Sequence, residues 1–489
     1  MNANENMNKT YKNSICNDDL TFEECELAIL RHAIDENDKI KHEKEANSPT
    51  VIEMISILEE FLRKKKCICY GGTAINNILP KEAQFYNRDI EVPDYDFYSK
   101  NALDDAKELA DIYFKKGYTD IEAKSGMHYG TFKVFVNFIP IADITQLHKS
   151  IFESIRKESI AIDGIVYAPP NFLRMSMYLE LSRPNGDTTR WEKVLKRLTL
   201  LNKYYPFIPK TNCEKVDFQR NMDTNMEKSE SIYYILRDAF IKQGVVFFGG
   251  YASSLYSRYM PKTQSKLVRK IPDFDVLSED YEKCANFIIE TLKINGFDKA
   301  HSNHYEAIGE IIPERIEILV GNETLAFIYK PIACHNYNEI ITNGLPIKVA
   351  TIDTMLSFYL AFYYSNEPYY FKDRILCMSQ FLFDIEEKNR LNQGGLLKRF
   401  NIQCYGKQPT IETIRAEKVA KFKELKNKRG TREYDMWFLK YHLTPQMSVQ
   451  NTIKHKNTYK SKSNNKNKNK NKNKKQKTMK NTKSSEFLF

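Results

Sequence analysis

Cys69-Tyr70-Gly71-Gly72-Thr73-Ala74-Ile75-Asn76-Asn77, followed after a loop by Val92-Pro93-Asp94-Tyr95-Asp96-Phe97-Tyr98-Ser99, is the stretch around which the 489 residues are organised. Two adjacent glycines after the apolar-leaning Cys67-Ile68-Cys69-Tyr70 allow a tight turn whose bare amides can approach an anion, and the residues after them read as the start of a helix. Along a strand, successive side chains point to opposite faces. Asp94 and Asp96 therefore face one way and Tyr95 and Phe97 the other, which gives two hard oxygen ligands spaced for one divalent cation. A Gly-Gly pair alone is an ordinary turn, and an Asp-x-Asp alone is an ordinary strand edge. Their order, the apolar surroundings of the acids, and a third acid give the combination its meaning. That third acid, Asp143, ends the apolar run Val134–Ala142, where a carboxylate is costly without a cation or partner.

Working outward, the same order recurs. Gly249-Gly250-Tyr251-Ala252 answers Gly71-Gly72-Thr73-Ala74, and Pro272-Asp273-Phe274-Asp275 answers Pro93-Asp94-Tyr95-Asp96. His128-Tyr129 pairs with His304-Tyr305, and Met175–Leu179 with Leu356–Leu360. Two copies of one α/β unit are expected, at 46–210 and 225–390, joined by a polar linker near Cys213–Ser229. Residues 1–45 and 391–450 read as helical regions. An ungapped match of Asn137–Ile144 on Gly321–Ile328 places Phe327 where Asp143 stands, so the second copy is expected to keep the fold and lose the chemistry.

Net charge is +11, but it is unevenly placed. Residues 451–489 hold 13 Lys against one Glu, which leaves the first 450 residues at −1. This Lys/Asn-rich tail has little to bury and reads as disordered, either an electrostatic arm for an anionic partner or the product of an AT-rich gene. Nine scattered cysteines without zinc spacing read as reduced core residues. No apolar run of membrane-spanning length and no secretory leader is present, so a soluble protein with no membrane contact is expected.

The turn, the Asp-x-Asp strand and the later third acid together resemble the polymerase-beta-like nucleotidyltransferase superfamily. More narrowly, Gly71-Gly72-Thr73-Ala74-x-Asn76 with Pro93-Asp94-Tyr95-Asp96-Phe97-Tyr98-Ser99 looks like the poly(A) polymerase catalytic subunits of poxviruses and other large DNA viruses. The resemblance covers roughly residues 50–390. It implies a mixed α/β (α+β) fold of two tandem nucleotidyltransferase-like units, each a small mixed sheet with flanking helices. It also implies a template-independent enzyme that adds AMP from ATP to an RNA 3′ end, with two Mg²⁺ (or Mn²⁺) ions on Asp94, Asp96 and Asp143. Gly71, Gly72 and Thr73 would cradle the phosphates, and Lys193, Lys196 and Arg197 would meet them from the helix after Trp191. Basic residues at that spacing also read as a solvated face. The resemblance further implies a homodimer or a processivity subunit, and a cytoplasmic viral replication compartment with packaging in the virion. Two alternatives stay open: another RNA terminal nucleotidyltransferase (uridylyl-adding, CCA-adding or oligoadenylate-type), and a non-catalytic RNA-binding scaffold on the same fold.

Overall fold

The computed structural model describes residues 15–16, 19–87, 89–216, 226–266, 268, 271–342, 344–367 and 369–444. Much of the expected linker and all of the expected disordered tail at 451–489 lie outside the described residues. The chain builds two mixed sheets of eight strands each. The first contains β1 (Ile68–Tyr70), β2 (Tyr95–Ser99), β3 (Ile121–Ser125), β4 (Thr131–Val136), β5 (Ile139–Gln146), β6 (Ile160–Ile162) and β7 (Ile165–Tyr167). The second contains β8 (Val246–Phe248), β9 (Phe274–Leu277), β10 (Ala300–Tyr305), β11 (Arg315–Val320), β12 (Glu323–Tyr329), β13 (His335–Thr342), β14 (Leu345–Ala350) and β15 (Cys404–Tyr405). A last strand, β16 (Lys440–Leu443), returns to the first sheet.

Strand order is β16-β3-β4-β5-β2-β1-β7-β6 in one sheet and β10-β11-β12-β9-β8-β14-β13-β15 in the other. Removing β16 and β15 leaves identical orders, with β1 matching β8 and β5 matching β12. The two extra strands close opposite edges.

The local causes are visible in the sequence. In β2 the pattern alternates, with Tyr95 and Phe97 fully buried and Asp96 on the other face. Beneath it lies the helix Pro49–Lys65. A proline fits its first turn, and Val51, Met54, Leu58, Phe61 and Leu62 repeat at helical spacing on its buried side. The helix Phe22–Ala46 before it starts with a reciprocal cap between Thr21 and Glu24 and buries only Ala46.

Between the sheets, the helix Pro170–Leu181 packs on the helix Ile352–Ser365, all of whose residues are buried. Polar ties cross the same boundary. The Asn336 N–H donates to the Ser182 carbonyl at 2.8 Å, and Glu158 accepts from Tyr363 Oη at 2.9 Å and from Lys372 Nζ at 3.1 Å.

Two expectations are corrected here. Six cysteines are disulfide-bonded rather than reduced: Cys16–Cys25, Cys213–Cys377 and Cys334–Cys404, with Cα atoms 5.2–5.4 Å apart. Only Cys67, Cys69 and Cys284 are free thiols, all buried. Folding brings together cysteines that stand 164 and 70 positions apart, within the span a bridge requires. The His128/His304 equivalence also fails. In register, Asn303 pairs Glu317 as Lys124 pairs Lys133, so His304 matches Ser125, whereas His128 lies in the turn beyond.

Candidate active site

Gly71 opens the helix Gly71–Ile78 at φ +74, a conformation natural to glycine, and Tyr70 caps it in extended geometry. A side chain would not fit here, because a Cβ on Gly71 would stand 2.6 Å from Asp96 Oδ2. At Gly72 the neighbours are different. A Cβ there would lie 2.6 Å from Tyr86 Oη and 3.0 Å from Arg197 Nη1, so a guanidinium sits directly over the turn. The Thr73 hydroxyl donates to the Asp94 carbonyl at 2.6 Å, tying the glycine helix to the acidic strand.

The three acids converge at one edge of that turn. Asp94 immediately precedes β2, Asp96 lies within it, and Asp143 on the parallel neighbour β5 is the register partner of Asp96. Opposite Asp143 on β4 stands Lys133, whose ammonium pairs with Asp143 Oδ2. Burial pushes the Asp96 carboxyl up to about 7, helped by the charges of Asp94 and Asp143. Partial desolvation, then Asp143, holds Asp94 above the ordinary carboxylate range, although Asp94 itself reaches the surface. Lys133 opposes both shifts without cancelling them.

On the helix Trp191–Tyr204 the three expected cations separate. Arg197 donates to Tyr86 Oη and lies 5.0 Å from the Phe85 ring centroid. Lys193, four residues earlier on the same face, acts on Asp94 through its charge. Lys196 is rotated by about 100° from Arg197. It pairs at 2.6 Å with Glu192, and both side chains are about three-quarters or more exposed, so it is turned away from the glycine turn.

Sequence reasoning missed Lys133, Tyr86, Phe85 and Tyr70. Lys133 is recognisable only once the β4/β5 register is known. Phe85 and Tyr86 come from a loop without periodicity, fixed by two backbone bonds from their N–H groups to Asn76 Oδ1, each at 2.8 Å.

Beside the carboxylates, Tyr70 stacks on Tyr98 at 3.9 Å and shares a hydrogen bond with Thr145. From there a cleft of about 770 Å³ runs past Thr131, Gln146 and Arg183 to His128 and Tyr129. The second repeat supplies one wall through Gly309, Glu310 and Ile311. That volume is in the range of small-ligand and cofactor sites.

The counterpart in the second repeat is closed. Phe327 pairs Asp275 in parallel register as Asp143 pairs Asp96, and Glu317 stands opposite Phe327 where Lys133 stands opposite Asp143. Phe327 is fully buried. Cβ atoms on Gly249 and Gly250 would overlap the Asp275 and Asp273 carboxylates, so the protein's own acids fill the space over this turn.

Comparison with known proteins agrees with this layout. Residues 56–187, which span the turn, the acidic strand and β5, match the family Poly(A) polymerase catalytic subunit. A protein of Acanthamoeba polyphaga mimivirus described as a poly(A) polymerase catalytic subunit is 29% identical over 269 residues, 49% of this chain and 44% of the relative. One from African swine fever virus with the same description is 31% identical over 188 residues, 37% of this chain and 39% of the relative. The matched stretches thus span less than half of each relative. The crystal structure of the Megavirus polyadenylate synthase superposes with a TM-score of 0.72 at 21% identity, covering 92% of this chain and 91% of that one. The resemblance read from the glycine turn and the acidic strand is therefore shown: the chain matches the poly(A) polymerase catalytic subunit family over residues 56–187, is similar over a third to a half of its length to such subunits of large DNA viruses, and has the polyadenylate synthase fold along nearly its whole length.

Proposed function

We propose that this chain is a template-independent polynucleotide adenylyltransferase that adds AMP from ATP to RNA 3′ ends. The observation that carries the reading is the meeting of Asp94, Asp96 and Asp143 beside a glycine turn overhung by Arg197. The donor set fits magnesium or manganese, since three carboxylates supply hard oxygens, and burial first, then the charges of Asp94 and Asp143, raises Asp96 against the single opposing Lys133. Among the described residues no group of three Asp, Glu, His or Cys side chains has metal-holding geometry, and Asp143 is paired with Lys133. Asp94, Asp96 and Asp143 would hold the ions, which when bound lower the pKa of the attacking hydroxyl and neutralise the leaving phosphates.

The chain's own groups do the rest. Amides of the Gly71–Gly72 turn face the triphosphate, and Arg197 and Lys193 meet its charge from the opposite side. Arg197 is held against Tyr86 and Phe85, so its fork is oriented before substrate arrives. The 3′-hydroxyl oxygen forms a bond to the α-phosphorus, the α–β bridge breaks, and pyrophosphate leaves. Thr73, with its hydroxyl committed to Asp94, serves to fix the turn against the strand. Lys196 has no part in this site. The relatives' description as catalytic subunits supports a partner subunit, for which a processivity subunit or a second copy of this chain is the expected class.

The test is incubation of the pure protein with an RNA primer, magnesium and each nucleotide in turn. Extension with ATP alone is expected. No extension, or equal extension with UTP or CTP, overturns the reading.

A further inference from the structure

We propose that single-stranded RNA upstream of the 3′ end leaves the cleft over a ladder of aromatic rings and onto the basic helix Ile411–Leu425. This surface, in the region following the second repeat, would be an extended RNA track. The proposal rests on the reading of the first repeat as an RNA-extending enzyme.

Four observations carry it. First, the helix Ile411–Leu425 buries only Leu425, so it adds almost nothing to a core. Residues 411–430 hold seven Lys or Arg against three Glu, and Arg415, Lys423, Lys426 and Arg429 are exposed. A helix with little packing and exposed cations needs a polyanion more than a core.

Second, the helix is fastened to the cleft mouth. Lys418 Nζ donates to the Gly126 carbonyl at 2.6 Å, and Gly126 belongs to the β3–β4 turn that carries His128 and Tyr129. The following helix, Arg432–Phe438, is held to the same repeat by Lys107 on Asp435 and Arg432 on Asp104, each at 2.7 Å.

Third, rings connect the two places without a break. Tyr129, at the cleft mouth and 48% exposed, lies 4.7 Å from Trp437. Trp437 follows on to Phe438 at 6.4 Å, Phe438 to Phe422 at 5.6 Å, and Arg429 covers Phe422 at 5.9 Å. Aromatic faces interleaved with cations are the general means of holding single strands without reading their sequence, since every base offers a π-face.

Fourth, the inner end of the cleft lies beside Asp96 through Tyr70 and Thr145, so a strand with its 3′ terminus at the carboxylates has one continuous route outward.

The test measures binding by the full chain to fluorescent oligoadenylates of about 20 and about 4 nucleotides, at several salt concentrations. The variant Lys423→Gln/Lys426→Gln/Arg429→Gln changes only exposed side chains. It is expected to lower the log–log salt slope for the long oligomer by about 2, at roughly 0.7 per lost phosphate contact, and to leave the short oligomer's affinity in place. Tyr129→Ala should weaken the long oligomer by roughly tenfold. An unchanged slope for the long oligomer overturns the proposal. So does equal loss on the short one, which would mean a general field rather than a track. A shift in sedimentation with RNA binding intact would make this face a protein interface, and that also overturns it. Failure of the enzymatic reading shows separately, as absence of AMP addition by the unaltered protein.

Discussion

The two repeats share strand order and register, yet at the one place where chemistry would occur they make opposite choices. In the first, a lysine faces the third acid across β4 and β5, and the glycine turn is overhung by Arg197 and Tyr86. In the second, Glu317 and Phe327 occupy those two register positions, and the turn is covered by Asp273 and Asp275. Asp94 reaches the surface, whereas Asp273 is 4% exposed. The first glycine of each turn is covered alike, by Asp96 over Gly71 and by Asp275 over Gly249; the difference lies over the second glycine, where Arg197 and Tyr86 overhang Gly72 and Asp273 fills the space over Gly250. What differs is four or five side chains. The fold is insensitive to them, because the buried faces of β2 and β9 are alike.

The comparison breaks most completely at the acids. Asp94→Ala or Asp143→Ala should reduce AMP addition to background, measured by primer extension, with unfolding transitions near that of the unaltered protein. Substantial residual addition would mean that the first repeat is no more catalytic than the second. Arg197→Ala comes next. Removing an oriented guanidinium from the turn should lower kcat/KM for ATP by roughly 10²-fold, the scale found for single preorganised charge-stabilising donors. Lys196→Ala on the same helix should leave kcat/KM near its original value, because its side chain points to solvent and Glu192.

A third prediction concerns how the repeats hold each other. His335 on β13 is fully buried beside Arg183 of the first repeat, and burial, then that positive charge, push its pKa down to about 3. In the unfolded chain it titrates near its ordinary 6.5, so the unfolded state takes up the proton first as the solution is acidified. The stability this group contributes is complete above about pH 6.5 and is lost as pH falls toward 3. Between pH 7 and pH 5 the loss is about 2 kcal/mol from this residue. Urea unfolding of the unaltered protein and of His335→Gln at those two values checks it. If both lose the same stability, His335 is not the group responsible.

How much of this was legible beforehand depends on the range of the contacts. The glycine turn, the alternation of β2 and the acid that follows the apolar run Val134–Ala142 are local patterns, and local patterns set local structure. Phe327 in the place of Asp143 was readable because an ungapped run of eight residues carried it, and the parallel pairing with Asp275 agrees. The His304 equivalence failed because it crossed loops of different length, where spacing carries no register. Lys133 was invisible for the same reason. It meets Asp143 across a ladder with an irregularity between Val134 and Phe135, which no count along the chain reveals. Arg197 and Lys196 looked equivalent in sequence, and only the helix's orientation on the sheet separates them. The disulfides lay beyond spacing arguments, since a bridge follows proximity in the folded chain.

The smallest expected effect is the one that most sharpens the comparison. Asp273→Ala together with Asp275→Ala removes both acids that a motif count would assign to a second active site. If the second repeat only packs, turnover per enzyme should stay within a few-fold of the original, because Phe327 takes the register position beside Asp275 and the Glu317 carboxylate is engaged by Asn303, Tyr305 and Thr324. Stability is the quantity that should move. Asp273 is buried and packed against Gly250, and the Tyr251 N–H donates to its carbonyl at 3.1 Å, so truncation empties space in a close-packed region. A lowered urea midpoint with near-normal turnover is thus the signature of a structural role. Arrested addition in a protein that still unfolds cooperatively at its usual midpoint would be the opposite signature. It would mean that the carboxylates over Gly249 and Gly250 take part in the reaction, and that the two repeats differ in degree rather than in kind.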